Sequence, residues 1–158
     1  MKTLTKKDIE NIRKNPKTTD WYEISLYYTL SEDFIREFKD NVNWSLISDR
    51  KLSEDFIREF KDNVNWSGIS YHQKLSEDFI REFKDKVSWY YISSCRQKLS
   101  ENFIREFKDK VNWGHISHYQ TLSEDFIREF KDKVDWEEIF KYQTLSEDFK
   151  LEFKDKLK

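Results

Sequence analysis

The stretch Leu75-Ser76-Glu77-Asp78-Phe79-Ile80-Arg81-Glu82-Phe83-Lys84-Asp85-Lys86-Val87-Ser88-Trp89 decides the fold. Nearly the same phrase begins again at Leu30, Leu52, Leu99 and Leu122, and a shortened copy begins at Leu145. Leu75, Phe79, Phe83 and Val87 recur every four residues and Ile80 widens the stripe, which is the pattern of a helix with one face in a core. Ser76 precedes it as an N-cap, acidic residues follow in the first turn, and Lys84 and Lys86 gather at the far end, so cap and dipole agree on its direction. On the outer side Glu77 and Arg81, Arg81 and Asp85, and Glu82 and Lys86 stand four apart, close enough to pair within one helix.

Directly before each tryptophan stands a good N-cap residue: Asp20, Asn43, Asn65, Ser88, Asn112 and Asp135. A second, short helix therefore starts at each Trp. Its Trp and the Ile three residues on, such as Trp89 and Ile92, face inward, with the following Ser or Gln at the edge of that face. Each Trp is expected to be buried between its own first helix and the next. Self-similarity at this period means that one two-helix unit is stacked repeatedly. A single unit carries too few apolar side chains to offset the ordering of its own backbone, so the units must stack to fold. The expected fold is all-α, an α-solenoid of about 13 helices in which a longer first helix alternates with a short Trp-containing one.

The array is expected to be one continuous domain with distinct ends. Residues 1–29 form a divergent N-terminal capping half-repeat, opened by the capping-box phrase Thr5-Lys6-Lys7-Asp8 and stopping its first helix before Asn15-Pro16. Residues 30–144 hold five tandem helix pairs, and residues 145–158 form a C-terminal capping helix. There Lys150 stands where the other copies have Ile35, Ile57, Ile80, Ile104 and Ile127, a cation where no further repeat follows. Leu to Trp is always 14 residues, whereas Trp to the next Leu is 9 except for 8 after Trp44 and 10 after Trp89. The slack falls around Asp49-Arg50 and Ser94-Cys95-Arg96, where local curvature is expected to change.

Composition narrows the function classes. Lys plus Arg at 29 nearly cancels Asp plus Glu at 31, and the signs alternate without blocks, which leaves no basic footprint for nucleic acid. Six Trp and 13 Phe supply the large side chains that a chain with 38% charged residues needs in order to fold. Cys95 is the one cysteine, so a reducing, cytoplasmic setting is the simpler expectation. No apolar run has the length of a membrane span, and the start lacks the apolar stretch of a signal peptide. Nothing matches a catalytic serine phrase or a glycine-rich phosphate loop. The expectation is a protein without enzymatic activity and without cofactor.

Comparing copies within the chain separates what the scaffold needs from what is free to vary. Variation collects at the first, second and fifth positions after Trp: Tyr22, Glu23 and Leu26; Ser45, Leu46 and Asp49; Ser67, Gly68 and Tyr71; Tyr90, Tyr91 and Ser94; Gly114, His115 and His118; Glu137, Glu138 and Lys141. These point away from the Trp and Ile face. Repeat proteins place recognition on such surfaces, and Tyr and His add contact area with few rotors to freeze. The alternatives are drift at exposed sites and, at Gly68 and Gly114, either a close approach or simple tolerance. A second reading places a nucleotide-type ligand in grooves between repeats, with Tyr71, His72, Tyr90, Tyr91, His118 and Tyr119 stacking a base and Arg96 meeting a phosphate. His115 and His118 could also share a zinc ion with Cys95 or His72, although nothing in the spacing makes them converge. The charges typified by Glu77, Arg81 and Asp85 read either as a ridge for a periodic partner or as a product of duplication.

The phrase Trp-x-x-Ile-Ser followed by Leu-Ser-Glu-Asp-Phe-Ile-Arg-Glu-Phe resembles the short tandem repeats of proteins encoded by giant DNA viruses and some phages, over almost the entire chain from Trp21 onward. The resemblance implies an accessory, non-enzymatic protein that binds a host or defence protein, and it supplies no catalytic residues.

Overall fold

The computed structural model describes residues 1–94 and 96–156. Among them are 13 α-helices, a short 3-10 turn and one pair of two-residue strands, divided between two compact units. The first, Met1–Gln73, holds β1 (Lys2–Thr3), α1 (Lys6–Lys14), α2 (Trp21–Tyr27), β2 (Tyr28–Thr29), α3 (Glu32–Glu37), α4 (Trp44–Ser48), α5 (Glu54–Glu59) and α6 (Trp66–His72). The second begins at Lys74 and holds α7 (Glu77–Glu82), α8 (Trp89–Ile92), α9 (Glu101–Glu106), α10 (Trp113–Tyr119), α11 (Glu124–Glu129), α12 (Trp136–Tyr142), α13 (Glu147–Glu152) and the turn Lys154–Lys156. Within each unit two-helix repeats stack in the manner of a solenoid. No described helix is long and apolar enough to cross a membrane.

Local chemistry sets the helix starts. Ser31, Ser53, Ser76, Ser100, Ser123 and Ser146 each accept through Oγ from the amide of the Phe three residues on. Thr5 and Asp8 close the expected capping box. The residues before Trp take extended cap geometry in all six cases, and five cap through the side chain while Ser88 does not.

The first helix is not the longer one. It closes after six residues, with Phe83 as C-cap at φ −111°, ψ 28°, while second helices reach seven residues. A turn follows, held by Lys86 and Val87 amides on the Phe83 carbonyl, and it returns Val87 to the apolar stripe at 7% exposure. Ending the helix early frees carbonyls near its C-terminus, and the indole N–H of the coming Trp takes one: Trp89 Nε1 donates to the Lys84 carbonyl at 2.9 Å, and Trp44, Trp66, Trp113 and Trp136 do the same to Lys39, Lys61, Lys108 and Lys131. Both irregular Trp-to-Leu spacings coincide with shortened second helices, five residues in α4 and four in α8.

The tryptophans are half-buried, which corrects the expectation of full burial. The indole N–H is held to a carbonyl at the surface, and the ring packs on the Phe pair of the following first helix: Trp44 lies 4.9 Å from Phe60, Trp89 4.8 Å from Phe107, and Trp136 4.7 Å from Phe153. Full burial falls instead to Phe56, Phe79, Phe103, Phe126 and Phe149, with the Ile beside each from Phe56 to Phe126.

Polar side chains complete the stacking, and two of them were misplaced by sequence reasoning. The Ser after Ile is fully buried, not at an edge: Ser25, Ser48, Ser70, Ser93 and Ser117 are all 0% exposed. Ser48 Oγ donates to the Trp44 carbonyl and accepts the Asn65 amide; Ser93 Oγ donates to the Trp89 carbonyl and accepts the Asn112 amide. Ser25 and Ser117 accept the Asn43 and Asp135 amides in the same way, so these four hydroxyls each satisfy the cap amide of the next second helix. In α12 Phe140 takes this position. The Gln is likewise buried and reaches back one repeat: Gln120 accepts the Leu99 amide and donates to the Ser94 and Gln97 carbonyls. Gln143 repeats this on Leu122, Ser117 and Gln120. After the one-residue deletion in the first full repeat Arg50 replaces Gln, and its longer side chain donates to the Tyr28 and Ser25 carbonyls, the former on β2, which pairs in parallel with β1. Burial pushes the Arg50 guanidinium down from the usual arginine value.

The charged outer side is a cross-repeat ladder. Arg36 pairs with Glu59, Arg81 with Glu106, Arg105 with Glu129 and Arg128 with Glu152, at 2.7 to 2.9 Å. Arg81 also reaches Glu77 as expected, but Asp85 pairs with Lys110 of the next repeat, not with Arg81. Glu77, Glu101 and Glu124 accept the amides of the next cap serines. At Glu124 this bond from Ser146 holds the carboxyl below its ordinary value.

Both ends depart from the pattern in a matching way. Counted from Arg13, which pairs with Glu37 as Arg36 does with Glu59, the Phe-pair positions of α1 hold Asn11 and Asn15. No Trp precedes them, and Asn15 Nδ2 donates to Asn11 Oδ1 at 3.1 Å instead. At the other end Lys150 pairs with Glu147, and Leu151, at the Arg position, is 67% exposed.

Candidate functional site

In the unit beginning at Lys74 the variable positions assemble one continuous run of aromatic rings over α8, α10 and α12. Tyr91 meets Tyr90 edge-on at 5.4 Å between centroids, and Tyr90 lies 4.3 Å from His115. His115 meets Tyr119 at 5.6 Å, Tyr119 meets His118 at 4.0 Å, and His118 meets Tyr142 at 3.9 Å. Local folding explains the convergence: each second helix starts at a capped Trp with Ile and Ser turned inward, which leaves the first, second, fifth and sixth positions after Trp on the outer surface.

Polar bonds fix the run from one repeat to the next. His115 Nδ1 lies 3.0 Å from the Tyr90 carbonyl oxygen, so this nitrogen carries the proton. His118 Nδ1 lies 2.6 Å from Glu138 Oε2, with both side chains about three-tenths exposed. The Tyr142 side chain beside Lys141 raises the ammonium above the ordinary lysine value, and Lys141 Nζ sits 5.1 Å over the Tyr142 ring. Asp135 Oδ1 accepts the amides of Glu137 and Glu138, which places both carboxylates in the first turn of α12.

The structure thus brings together Tyr90, Tyr91, His115, His118, Tyr119, Glu138 and Lys141 of the expected residues. Glu137 is exposed, Ser94 is half-buried and donates to the Tyr91 carbonyl, and Arg96 is exposed. Sequence reasoning missed Tyr142, which is 45% exposed and closes the run. Its signal was the sixth position after Trp, which also carries Tyr119 and Tyr27.

The first unit carries a sparser face. Tyr22 is 60% exposed, Glu23 and Asp49 are exposed, and Leu26 and Leu46 are half-buried. Asp49 Oδ1 lies 3.5 Å from His72 Nε2, and Tyr71 meets His72 edge-on at 4.7 Å. Gly68 is a close approach: a Cβ there would stand 2.8 Å from Asp49 Oδ1 and 3.3 Å from Ser48 Cβ. Gly114 is tolerance, since a Cβ there would meet only Asn112 Oδ1 at 3.4 Å.

For the ligand-groove reading, the rings of the second unit already touch. A base between two of them would need roughly 7 Å, two van der Waals contacts, and so would have to part them. Among the described residues no three His, Cys, Asp or Glu side chains stand close enough to hold a metal ion, and Cys95 lies outside the described residues. No family model, no curated protein and no solved structure matches the chain.

Proposed function

We propose that this chain is a non-enzymatic binding scaffold that holds another protein on its second-helix face, with the ring run of α8, α10 and α12 as the contact centre. One observation carries the reading: residues such as Arg81 and Glu106 that recur in the copies are spent on bonds between repeats, whereas the positions of Tyr90, Tyr119 and Tyr142 are not held to one residue type across the copies and these tyrosines remain 57%, 44% and 45% exposed. Exposed aromatic side chains beside partly buried polar groups are the composition of interface centres. The resemblance of the repeat phrase to viral and phage tandem repeats extends the reading to a host or defence protein as the partner.

The test is affinity capture with identification by mass spectrometry, followed by titration of the purified partner against the parent and against Tyr90→Ser/Tyr119→Ser/Tyr142→Ser. Loss of about tenfold or more in affinity with unchanged circular dichroism is expected. A partner that binds the triple variant as well as the parent overturns the reading.

A further inference from the structure

We infer that His115 and His118 form a two-imidazole site for a divalent transition-metal ion on the outer face of α10; the site does not depend on the binding-scaffold reading. Both residues lie on α10 three positions apart, which puts their Cβ atoms roughly 5 to 6 Å from each other. The Tyr119 ring touches both imidazoles, at 5.6 Å and 4.0 Å between centroids, so the two border one place on the face. Both are half-buried.

Hydrogen bonds from the neighbouring repeats prepare the pair. His115 Nδ1 is 3.0 Å from the Tyr90 carbonyl oxygen on α8, and His118 Nδ1 is 2.6 Å from Glu138 Oε2 on α12. A carbonyl and an ionised carboxylate only accept, so both Nδ1 atoms carry a proton, and in each neutral ring Nε2 keeps its lone pair. Metal-ligating histidines are held in this way: the other ring nitrogen donates to a carboxylate or a backbone carbonyl, which fixes tautomer and orientation and makes the ligating nitrogen more basic. The two nitrogens of an imidazole point nearly opposite ways. With one ring anchored back to α8 and the other forward to α12, each Nε2 is turned in over α10. His72 is arranged otherwise, since its Nε2 faces Asp49 Oδ1 at 3.5 Å.

Ligand chemistry names the ion. Imidazole nitrogen suits Cu²⁺, Ni²⁺ and Zn²⁺, whereas Mg²⁺ and Ca²⁺ take oxygen ligands. Among the described residues no cluster of three His, Cys, Asp or Glu could hold a metal ion, so water fills the positions that the two imidazoles leave open. For such a site the order of divalent affinities puts Cu²⁺ first.

Calorimetric titration of the full chain with Cu²⁺ tests the site, every variant carrying Cys95→Ser so that the thiol neither binds nor reduces the ion. Saturable binding of about one equivalent is expected, with none of Mg²⁺. His115→Ala and His118→Ala should each weaken it by about tenfold or more, and Glu138→Ala, which frees the His118 ring, by about tenfold. His118→Gln can still donate to Glu138, so an equal loss there separates ligation from a structural role. His72→Ala should bind as the parent does. The electron paramagnetic resonance spectrum of the bound Cu²⁺ should show coupling to imidazole nitrogen that disappears in His115→Ala/His118→Ala. No saturable binding, undiminished binding to either histidine variant, or an equal loss with His72→Ala overturns the inference. Its failure leaves the scaffold reading standing, because that reading is judged on the tyrosine variant and its protein partner.

Discussion

The outer side of the first helices and the second-helix face are both polar and both reach solvent, yet they differ along the array. On the first helices the same Glu, Arg and Asp recur copy after copy, and the structure uses them between repeats: Arg81 on Glu106, Lys110 on Asp85, Glu77 on the Ser100 amide. On the second helices the outward positions are not held to one residue type, and the exposed tyrosines make ring contacts without being covered. Repetition of an exposed charge therefore marks a bond to the neighbouring copy. The choice between a binding ridge and a relic of duplication missed this third role, because a pairing partner 23 to 25 residues away is invisible to a pattern that tests spacings of four.

Breaking the scaffold side should cost most. Phe103 is fully buried and lies beneath Trp89 and next to Phe107. Phe103→Ala should destabilise by about 3 to 5 kcal/mol, read from urea unfolding. A loss below about 1 kcal/mol would show that the Trp-on-Phe contact is not what joins repeats.

Ser93→Ala comes next and tests the hydroxyl relay. It removes the acceptor of the Asn112 amide in a site with no exposure, so a loss of about 1 to 3 kcal/mol is expected from the stranded donor. The same change at an exposed serine such as Ser67 should be nearly silent, and equal effects at the two sites would contradict the relay.

The smallest effect sharpens the comparison from within the variable face. Gly114→Ala has room for its Cβ and should stabilise by about 0.5 to 1 kcal/mol through helix propensity. Gly68→Ala should show none of that gain, because Asp49 and the buried Ser48 stand against the added methyl. Equal thermal shifts for the two would mean that the face is uniformly free, and that Gly68 marks no approach between repeats.

Much of the candidate site was legible and its closing member was not. Tyr90, Tyr91, His115 and His118 were found because their positions vary while Trp and Ile do not. Tyr142 escaped because the variable face was drawn from the first, second and fifth positions after Trp, and the sixth was taken up only at His72 and Tyr119, whereas α12 runs through it to Tyr142. How far a short helix continues depends on packing beyond its cap, and local propensity decides it poorly.

The amino-acid sequence by itself determined the repeat, the position of every first-helix cap and the different character of the two ends, because capping and hydrophobic period act within about four residues of chain. Lys150 stood out without any coordinates, and Asn11 and Asn15 would have too had Arg13 been taken as the reference. Only the tertiary structure decided that the tryptophans stay half-exposed, that Ser93 and Gln120 go fully inside, and that Arg50 replaces a Gln across a deletion. The buried Ser, Gln and Arg50 side chains depend on partners 17 to 26 residues away, whose distance is set by how closely two repeats stack, while each indole is held by a carbonyl that the early end of the first helix leaves free. A buried hydroxyl or amide is stable only where that stacking delivers its hydrogen bond, and no local pattern carries the information.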